Sequence, residues 1–422
     1  MGRDSRISGM WKSTATKTDH RKSLVRVMAM VLVLLAVALA SFMFGRSQSP
    51  ADISGQDRES LRLYAEALKL VRDDYVDQEA VNPRKQTYAA IEGMLDSLGD
   101  EGHTRFLTPG EVKSNRESLS GTYVGVGIRL EDRERMVVVA SPIEGSPAQQ
   151  AGIEAGDVVI AVDGKSVLKQ KTSEVANRIR GPKGTDVELT VRRGDETRDF
   201  TLERAQIDSP VASWARIPGG DVALIQLTSF SDDSADELEQ AISEARHDGA
   251  RSFVLDLRDN PGGRLDQAVE VAGLFLKPGK VVYLRDEAEG KREKIRVDDG
   301  AEPIHAPLAV LVNGGTASSA EILSGALRDN GRAEVIGTAT YGTGTVLSEY
   351  TLSDGSALLL GVAEWLTPGG DFIRKTGIEP EVKVKMGEGS EPLSPSDIRD
   401  LSREEILDRD AQLARALREL RE

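Results

Sequence analysis

Two glycine turns restrict this chain more than any other feature. The run FVLDLR (253–258) ends in DNPGG (259–263), and the run LAVLVN (308–313) ends in GGTAS (314–318). Each turn leads into a helical pattern, LDQAVEVAGLFL (265–276) and SAEILSGALRD (319–329). Consecutive apolar residues, in place of alternating ones, mark strands buried on both faces, as in a parallel sheet covered by helices. With the strand patterns VALIQL (222–227) and AEVIGT (333–338) and the helical pattern ADELEQAISEARHD (235–248), they build βαβ units and an α/β architecture. Open α/β sheets bind ligands beyond the carboxyl ends of their strands, so the two turns, with their exposed backbone N–H groups, predict where a site lies.

Upstream the pattern changes twice. SLRLYAEALKLVRDDYVD (60–77) and YAAIEGMLDSLGD (88–100) place apolar residues three and four apart, which predicts two amphipathic helices. From Gly121 to about Arg204, short β-type runs (VGVGIRL, MVVVA, VVIAV, VELTV) surround two helical stretches with Asp-Gly and Pro-Lys-Gly turns, predicting a small β-rich module. The expected order is a basic N-terminus (1–26), an apolar segment (27–44), a polar linker (45–56), a helical region (57–118), the β-rich module (119–205), the α/β core (206–386) and a charged amphipathic tail (387–422). The tail is read as a solvated helix packing on the body, with a homodimer contact as the alternative.

The segment Val27–Phe44 is uncharged, eighteen residues long and preceded by Arg21, Lys22 and Arg26. That length and flank predict a signal anchor crossing the cell (inner) membrane once, with the body extracytoplasmic. Ala38-Leu39-Ala40 resembles a signal-peptidase site, so a cleaved signal is the competing reading, and both export the body. The net charge is −15, but residues 1–46 hold eight Lys/Arg against two Asp, so the remainder carries −21. So acidic a body argues against a nucleic-acid partner. The absence of cysteine excludes disulfides, thiol catalysis and cysteine-ligated metal; no cofactor or metal is expected.

The β-rich module contains YVGVGIRL (123–130), SPAQQAGIEAGDVVIAVDGKSV (146–167) and RGPKGTDVELTVRR (180–193), and resembles a bacterial protease PDZ domain. In that reading Gly125, Val126, Gly127 and Ile128 bind peptide: the glycines turn backbone N–H groups toward a terminal carboxylate, and the adjoining strand edge accepts an extended chain. Taken alone, the glycines would be a bulge in a strand. A PDZ can also serve only as an internal gate.

DLRDNPGG (256–263), VNGGTASSAEILSGALRDNGRA (312–333), SDGSALLLGVAEWLTPGG (353–370) and GIEPE (377–381) occur in the order of the carboxy-terminal processing peptidases and the related tricorn-type serine proteases. The resemblance covers roughly residues 60–385. It implies a crotonase-like ββα core, peptide or protein substrates with free C-termini, and Ser318 as nucleophile. It also implies oxyanion donors from Ser319 and from Gly262 or Gly263. Without the surrounding motifs, Ser318 would read as a helix N-cap.

The chain departs from that family where a phrase like F-G-K-G-x-x-Q is expected. Here it is YGTGTVL (341–347): Thr343 stands for the lysine base and Leu347 for the glutamine. A threonine hydroxyl cannot accept the serine proton near neutral pH. No lysine occurs from Ile295 to Arg374, and Lys375 beyond it reads as a surface lysine in a loop. Of the four histidines, His20 precedes the apolar segment. His247 and His305 precede their strands, about 17–20 Å from the glycine turns at the far ends. His103, in GDEGHTRFLTP, remains as base, by resemblance to the tricorn-type enzymes, or as a structural hydrogen-bonding residue. Thr104 and Glu364 are the candidates to orient it. An inactive relative whose PDZ captures C-terminal tails is the alternative function.

Overall fold

The computed structural model describes residues 55–420 apart from 101–102, 134–135, 144, 171, 209, 288–290, 301 and 388. The expected membrane segment 27–44 therefore lies outside the described residues. Among the described residues no helix is long and apolar enough to cross a membrane. The chain divides into two compact units at Gln86/Thr87. The first holds helix Gly55–Asp74, a 3-10 turn at Gln78–Ala80 capped by the Asp77 side chain, and the start of helix Pro83–Asp96.

In the second unit a six-stranded sheet runs in the order Ala212–Arg216, Val222–Leu227, Ser252–Asp256, Leu308–Val312, Glu334–Gly337, Val382–Lys383. The first pairing is antiparallel and the rest are parallel. All five residues of Ser252–Asp256 and of Leu308–Val312 are buried, as their unbroken apolar runs require. Alternate residues point to opposite layers. Ile225, Leu255 and Val310 face a core shared with helices Ser234–His247, Leu265–Gly273 and Ser319–Asp329. Leu224, Val254, Leu311 and Ile336 face the chain's C-terminal tail.

That tail is not one solvated helix. It forms three short ones, Pro395–Ile398, Arg403–Arg409 and Ala411–Glu419, capped by Ser394, Ser402 and Asp410. Leu393, Ile398, Ile406, Leu413 and Leu417 lie fully buried on the sheet, so the tail is a third layer and its apolar side is covered by the body. The apolar periodicity showed that one side would be buried, but a pattern does not say against what.

A second, antiparallel sheet flanks the core. Its long strand Ala357–Leu366 pairs with Thr345–Thr351, with Val281–Glu287 and with Arg105–Leu107. The last of these comes from the stretch expected to be helical, and it ties the segment after His103 into the second sheet. Ile128–Glu203 forms a module with its own core, including Val139, Val159, Val187 and Leu189. Its sheet order is Ile128–Arg133, Met136–Pro142, Val158–Val162, Asp186–Arg193, Glu196–Glu203. The strands entering and leaving it, Thr122–Gly125 and Ala205–Asp208, pair with each other.

If the tail is a structural layer, Leu413→Ala should lower unfolding free energy by about 2–5 kcal/mol, the range for emptying a buried leucine site. Leu407→Ala, at a tail position 38% exposed, should change it little. The urea midpoints of the two variants check this.

Candidate active site

The two glycine turns are stitched to each other by side chains. Asn313 Oδ1 accepts from Asp259 N and from Gly315 N, both at 2.9 Å, and its Nδ2 donates to Asp259 Oδ1 at 3.0 Å. Thr316 Oγ1 donates to Leu257 O at 2.8 Å, and Ala317 N donates to Asn260 O at 2.9 Å. Ser318 therefore leaves the turn in a fixed pose, at the cap position of helix Ser319–Asp329.

The pose is strained. Ser318 has φ 53° and ψ −121°, whereas a serine that simply caps a helix sits in the extended region. Such a conformation costs about 1–3 kcal/mol and persists only where the surroundings over-determine it. Gly262 supplies one constraint: a Cβ on it would lie 2.6 Å from Ser318 Cβ and 2.8 Å from both Ala317 O and Ser319 N, so the turn fits against the serine only because residue 262 has none. Ser318 N supplies the other, donating to Glu321 Oε2 at 2.9 Å and to Thr343 Oγ1 at 3.1 Å.

Glu321 was not singled out in the sequence, although its S-x-x-E spacing from Ser318 is that of a capping box. Its carboxylate is fully buried and, among the described residues, has no ion-pair partner. Neutral donors serve it instead: Ser318 N, Thr343 N at 3.0 Å, Gly342 N at 2.7 Å and Thr340 Oγ1 at 2.5 Å. It thereby joins the serine turn to the 340–343 loop. Thr343 is buried in that loop, its hydroxyl accepting from the Ser318 N–H. Leu347 lies farther along, 39% exposed on strand Thr345–Thr351 opposite Gly361 and just past a bulge.

The three expected oxyanion donors differ. Gly262 N is engaged by Asn260 Oδ1 at 2.8 Å. The N–H groups of Gly263 and Ser319 have no acceptor among the described residues. The Ser319 hydroxyl is turned away, donating to Gly263 O and Arg264 O at 3.1 and 3.2 Å.

His103 sets its ring edge-on to Tyr341, two residues before Thr343, at a centroid distance of 5.8 Å. No hydrogen bond joins the ring to Ser318 among the described residues. Burial lowers its pKa below 6.5, and the negative charges of Asp100 and Glu321 oppose that shift. Thr104 and Glu364 are engaged elsewhere. Thr104 Oγ1 donates to Asp100 Oδ2 at 2.6 Å, and Arg374 bridges Asp100 at 2.7 Å and Glu364 at 3.1 Å. Burial alone would raise the Asp100 pKa; the bonds from Thr104 and Arg374 outweigh it and hold the group below 3.8. Lys375 Nζ points to Gly99 O at 3.3 Å and is exposed. His247 Nδ1 lies 2.8 Å from Ser243 O and His305 Nε2 lies 3.1 Å from Glu302, both exposed and both before the N-terminal ends of strands. His20 lies outside the described residues.

In the β-rich module, Val126 is buried and Gly127 has φ 78°, where a Cβ would lie 2.1 Å from Ser146 Cβ. The carbonyls of Val126 and Gly127 accept from Ala148 N and Ile143 N, while the Gly127 N–H has no acceptor among the described residues. Gly125 ends the strand Thr122–Gly125, and Ile128 opens a strand at the sheet edge whose neighbour is Met136–Pro142.

Residues 221–384 match the model of peptidase family S41 and residues 138–193 that of the PDZ domain. A probable CtpA-like serine protease of Staphylococcus haemolyticus (strain JCSC1435) is 35% identical over 355 residues, 84% of this chain and 71% of that protein. Another, from Staphylococcus aureus (strain MRSA252), is 34% identical over 356 residues, 84% of this chain and 70% of that one. Among solved structures, the photosystem II D1 C-terminal processing protease aligns over 77% of this chain and 92% of its own at 31% identity, with a TM-score of 0.45. The chain belongs to peptidase family S41, in its PDZ-containing, C-terminal processing branch.

The steric role of Gly262 can be separated from its backbone preference. Gly145→Ala, at φ 72° with open space around it, should cost about 1–2 kcal/mol from conformation alone. Gly262→Ala, at φ 90° against Ser318, should cost more. Urea midpoints check both.

Proposed function

We propose that the chain is an active serine endopeptidase that cuts extracytoplasmic proteins near their C-termini, with Ser318 as nucleophile and His103 as base. The observation that carries this is the strained Ser318, gripped by Gly262 and Glu321 beside two unengaged N–H groups. A site without chemistry gains nothing from that strain.

In this reading the Ser318 hydroxyl attacks the scissile carbonyl carbon while its proton passes to the neutral His103 imidazole. The carbonyl oxygen becomes an oxyanion received by the Ser319 and Gly263 N–H groups at the positive end of helix Ser319–Asp329. Collapse expels the amine, which takes the proton from His103, and water then hydrolyses the acyl-enzyme by the same steps in reverse order. Thr343 takes no proton; its hydroxyl holds the Ser318 backbone from the place where relatives carry lysine. His103 closes on Ser318 only with substrate bound, as catalytic hydrogen bonds often do.

The PDZ module would present the Gly127 N–H and the free edge of Ile128–Arg133 to a peptide's carboxylate and backbone. The strand-turn-helix repeats support a crotonase-like core. Residues 27–44 are taken as a single inner-membrane anchor with the body outside, because the basic residues lie on one side of the apolar run. A second reading, an inactive PDZ scaffold, draws on the missing lysine and on the lack of a hydrogen bond between His103 and Ser318 among the described residues.

Ser318→Ala and His103→Ala should each abolish cleavage of C-terminally tagged substrates, while Thr343→Ala keeps most of it. With its pKa held below 6.5 by burial, His103 stays neutral and competent through neutral pH, so the rate falls only as pH drops below that value. Cleavage that survives His103→Ala directs attention to Lys375. Absence of both cleavage and fluorophosphonate labelling in the wild type establishes the scaffold reading.

For the PDZ, a peptide with a free apolar C-terminus should bind more tightly than its amide, since charge-assisted hydrogen bonds are roughly twice as strong as neutral ones. Equal affinities by titration calorimetry would indicate an internal gate.

A further inference from the structure

A buried ion cluster that the mechanism above leaves unused links the tail to a glycine turn. Arg258 lies at the root of the turn that ends in Gly262 and Gly263. Its Nε and Nη2 donate to Asp256 at 2.9, 3.1 and 2.6 Å. Its Nη1 donates to both oxygens of Asp410, at 3.0 and 2.8 Å, and to Gln412 Oε1 at 3.2 Å. The side chains of Arg258, Asp256 and Asp410 are 1%, 0% and 0% exposed.

Asp410 belongs to the tail and is itself held in place. Its Oδ1 accepts from Leu413 N at 2.9 Å, capping helix Ala411–Glu419, and its Oδ2 accepts from Leu393 N at 3.1 Å. From Arg258 the chain passes through Asp259, at φ 57°, into a turn tied by Asn260 to Leu227 O, to Ala317 N and to Gly262 N. A displacement of Arg258 is therefore passed to Gly262, which touches Ser318, and to the Gly263 N–H. Asp256 cannot fix the guanidinium alone, because it grips one edge and leaves Nη1 to be placed by the tail.

We propose that Arg258 and Asp410 are positioning residues, and that the C-terminal tail sets the oxyanion turn of the active site through this buried ion pair. The role in the reaction rests on the peptidase reading; the coupling of tail to turn does not. With Asp410 neutralised, Arg258 keeps Asp256 but loses the charge-assisted bonds that place its Nη1, so the turn should loosen.

The test uses the full-length chain and two tail variants. Asp410→Asn keeps an oxygen to cap Leu413 and removes the charge, whereas Leu417→Ala loosens the packing of the tail and leaves the ion pair alone. Hydrogen exchange over residues 260–264, fluorophosphonate labelling of Ser318 and PDZ peptide affinity are measured at a temperature where both variants are folded. In Asp410→Asn the turn should exchange about tenfold faster and label about tenfold more slowly with peptide affinity unchanged, while Leu417→Ala shows neither effect. Wild-type exchange in Asp410→Asn, or an equal rise in Leu417→Ala, overturns the proposal. If wild-type Ser318 does not label, the peptidase reading fails and the exchange comparison alone decides the coupling. Should Asp410→Asn not fold, Asp410→Glu, with the charge on a longer arm, is expected to speed exchange of the turn, and unchanged exchange there counts against the proposal.

Discussion

The buried carboxylate of Glu321 is the contact on which the site depends. Four donors converge on it, one from the serine turn and three from the 340–343 loop, and none of them is a cation. Hydrogen bonds to a charged group contribute about 1.5–3 kcal/mol each, enough together to offset both the strain at Ser318 and part of the cost of burying the charge. The loop gains its position from the same atoms. Thr340 passes the order on by accepting from Ile378 N, so the segment after the second sheet is fixed as well.

This arrangement explains how the loop keeps its shape with a threonine at position 343. Thr343 is held by its own N–H on Glu321 and returns a hydroxyl oxygen to the Ser318 N–H, so its contacts are to backbone and carboxylate. The position next to Ser318 is occupied and ordered, but by a group that accepts no proton near neutral pH. On the proposed peptidase reading, the base comes from outside the loop. Tyr341, packed edge-on against His103, is where the loop meets the segment that could bring one.

Much of this was legible in the sequence, for identifiable reasons. Strands buried on both faces announce themselves by unbroken apolar runs, and glycine turns at their ends are rare enough to place a site. Shorter or longer-range features were not legible. Arg105–Leu107 is three residues long, too short for any periodicity, and its pairing with residues 357–359 is set by the partner strand. Gly262 and Gly263 look alike until the Asn260 side chain is seen to occupy one N–H and not the other. Arg258 and Asp410 are 152 positions apart and would each be read as a surface charge. Glu321 carries a signal, the capping-box spacing, but that spacing accounts for one of its four donors and says nothing of the 340–343 loop.

The third layer also has a consequence in time. A ribosome releases residues 1–386 before the tail, so the parallel strands are complete while Leu224, Val254, Leu311 and Ile336 still lack their cover. Until Leu393 to Leu417 arrive, that face is bare apolar surface and Arg258 has only Asp256 to neutralise it. Domains generally fold as units once synthesised, and exposed apolar faces are where nascent chains aggregate. A sheet that a later segment must close therefore reaches its finished form only after that segment has been made.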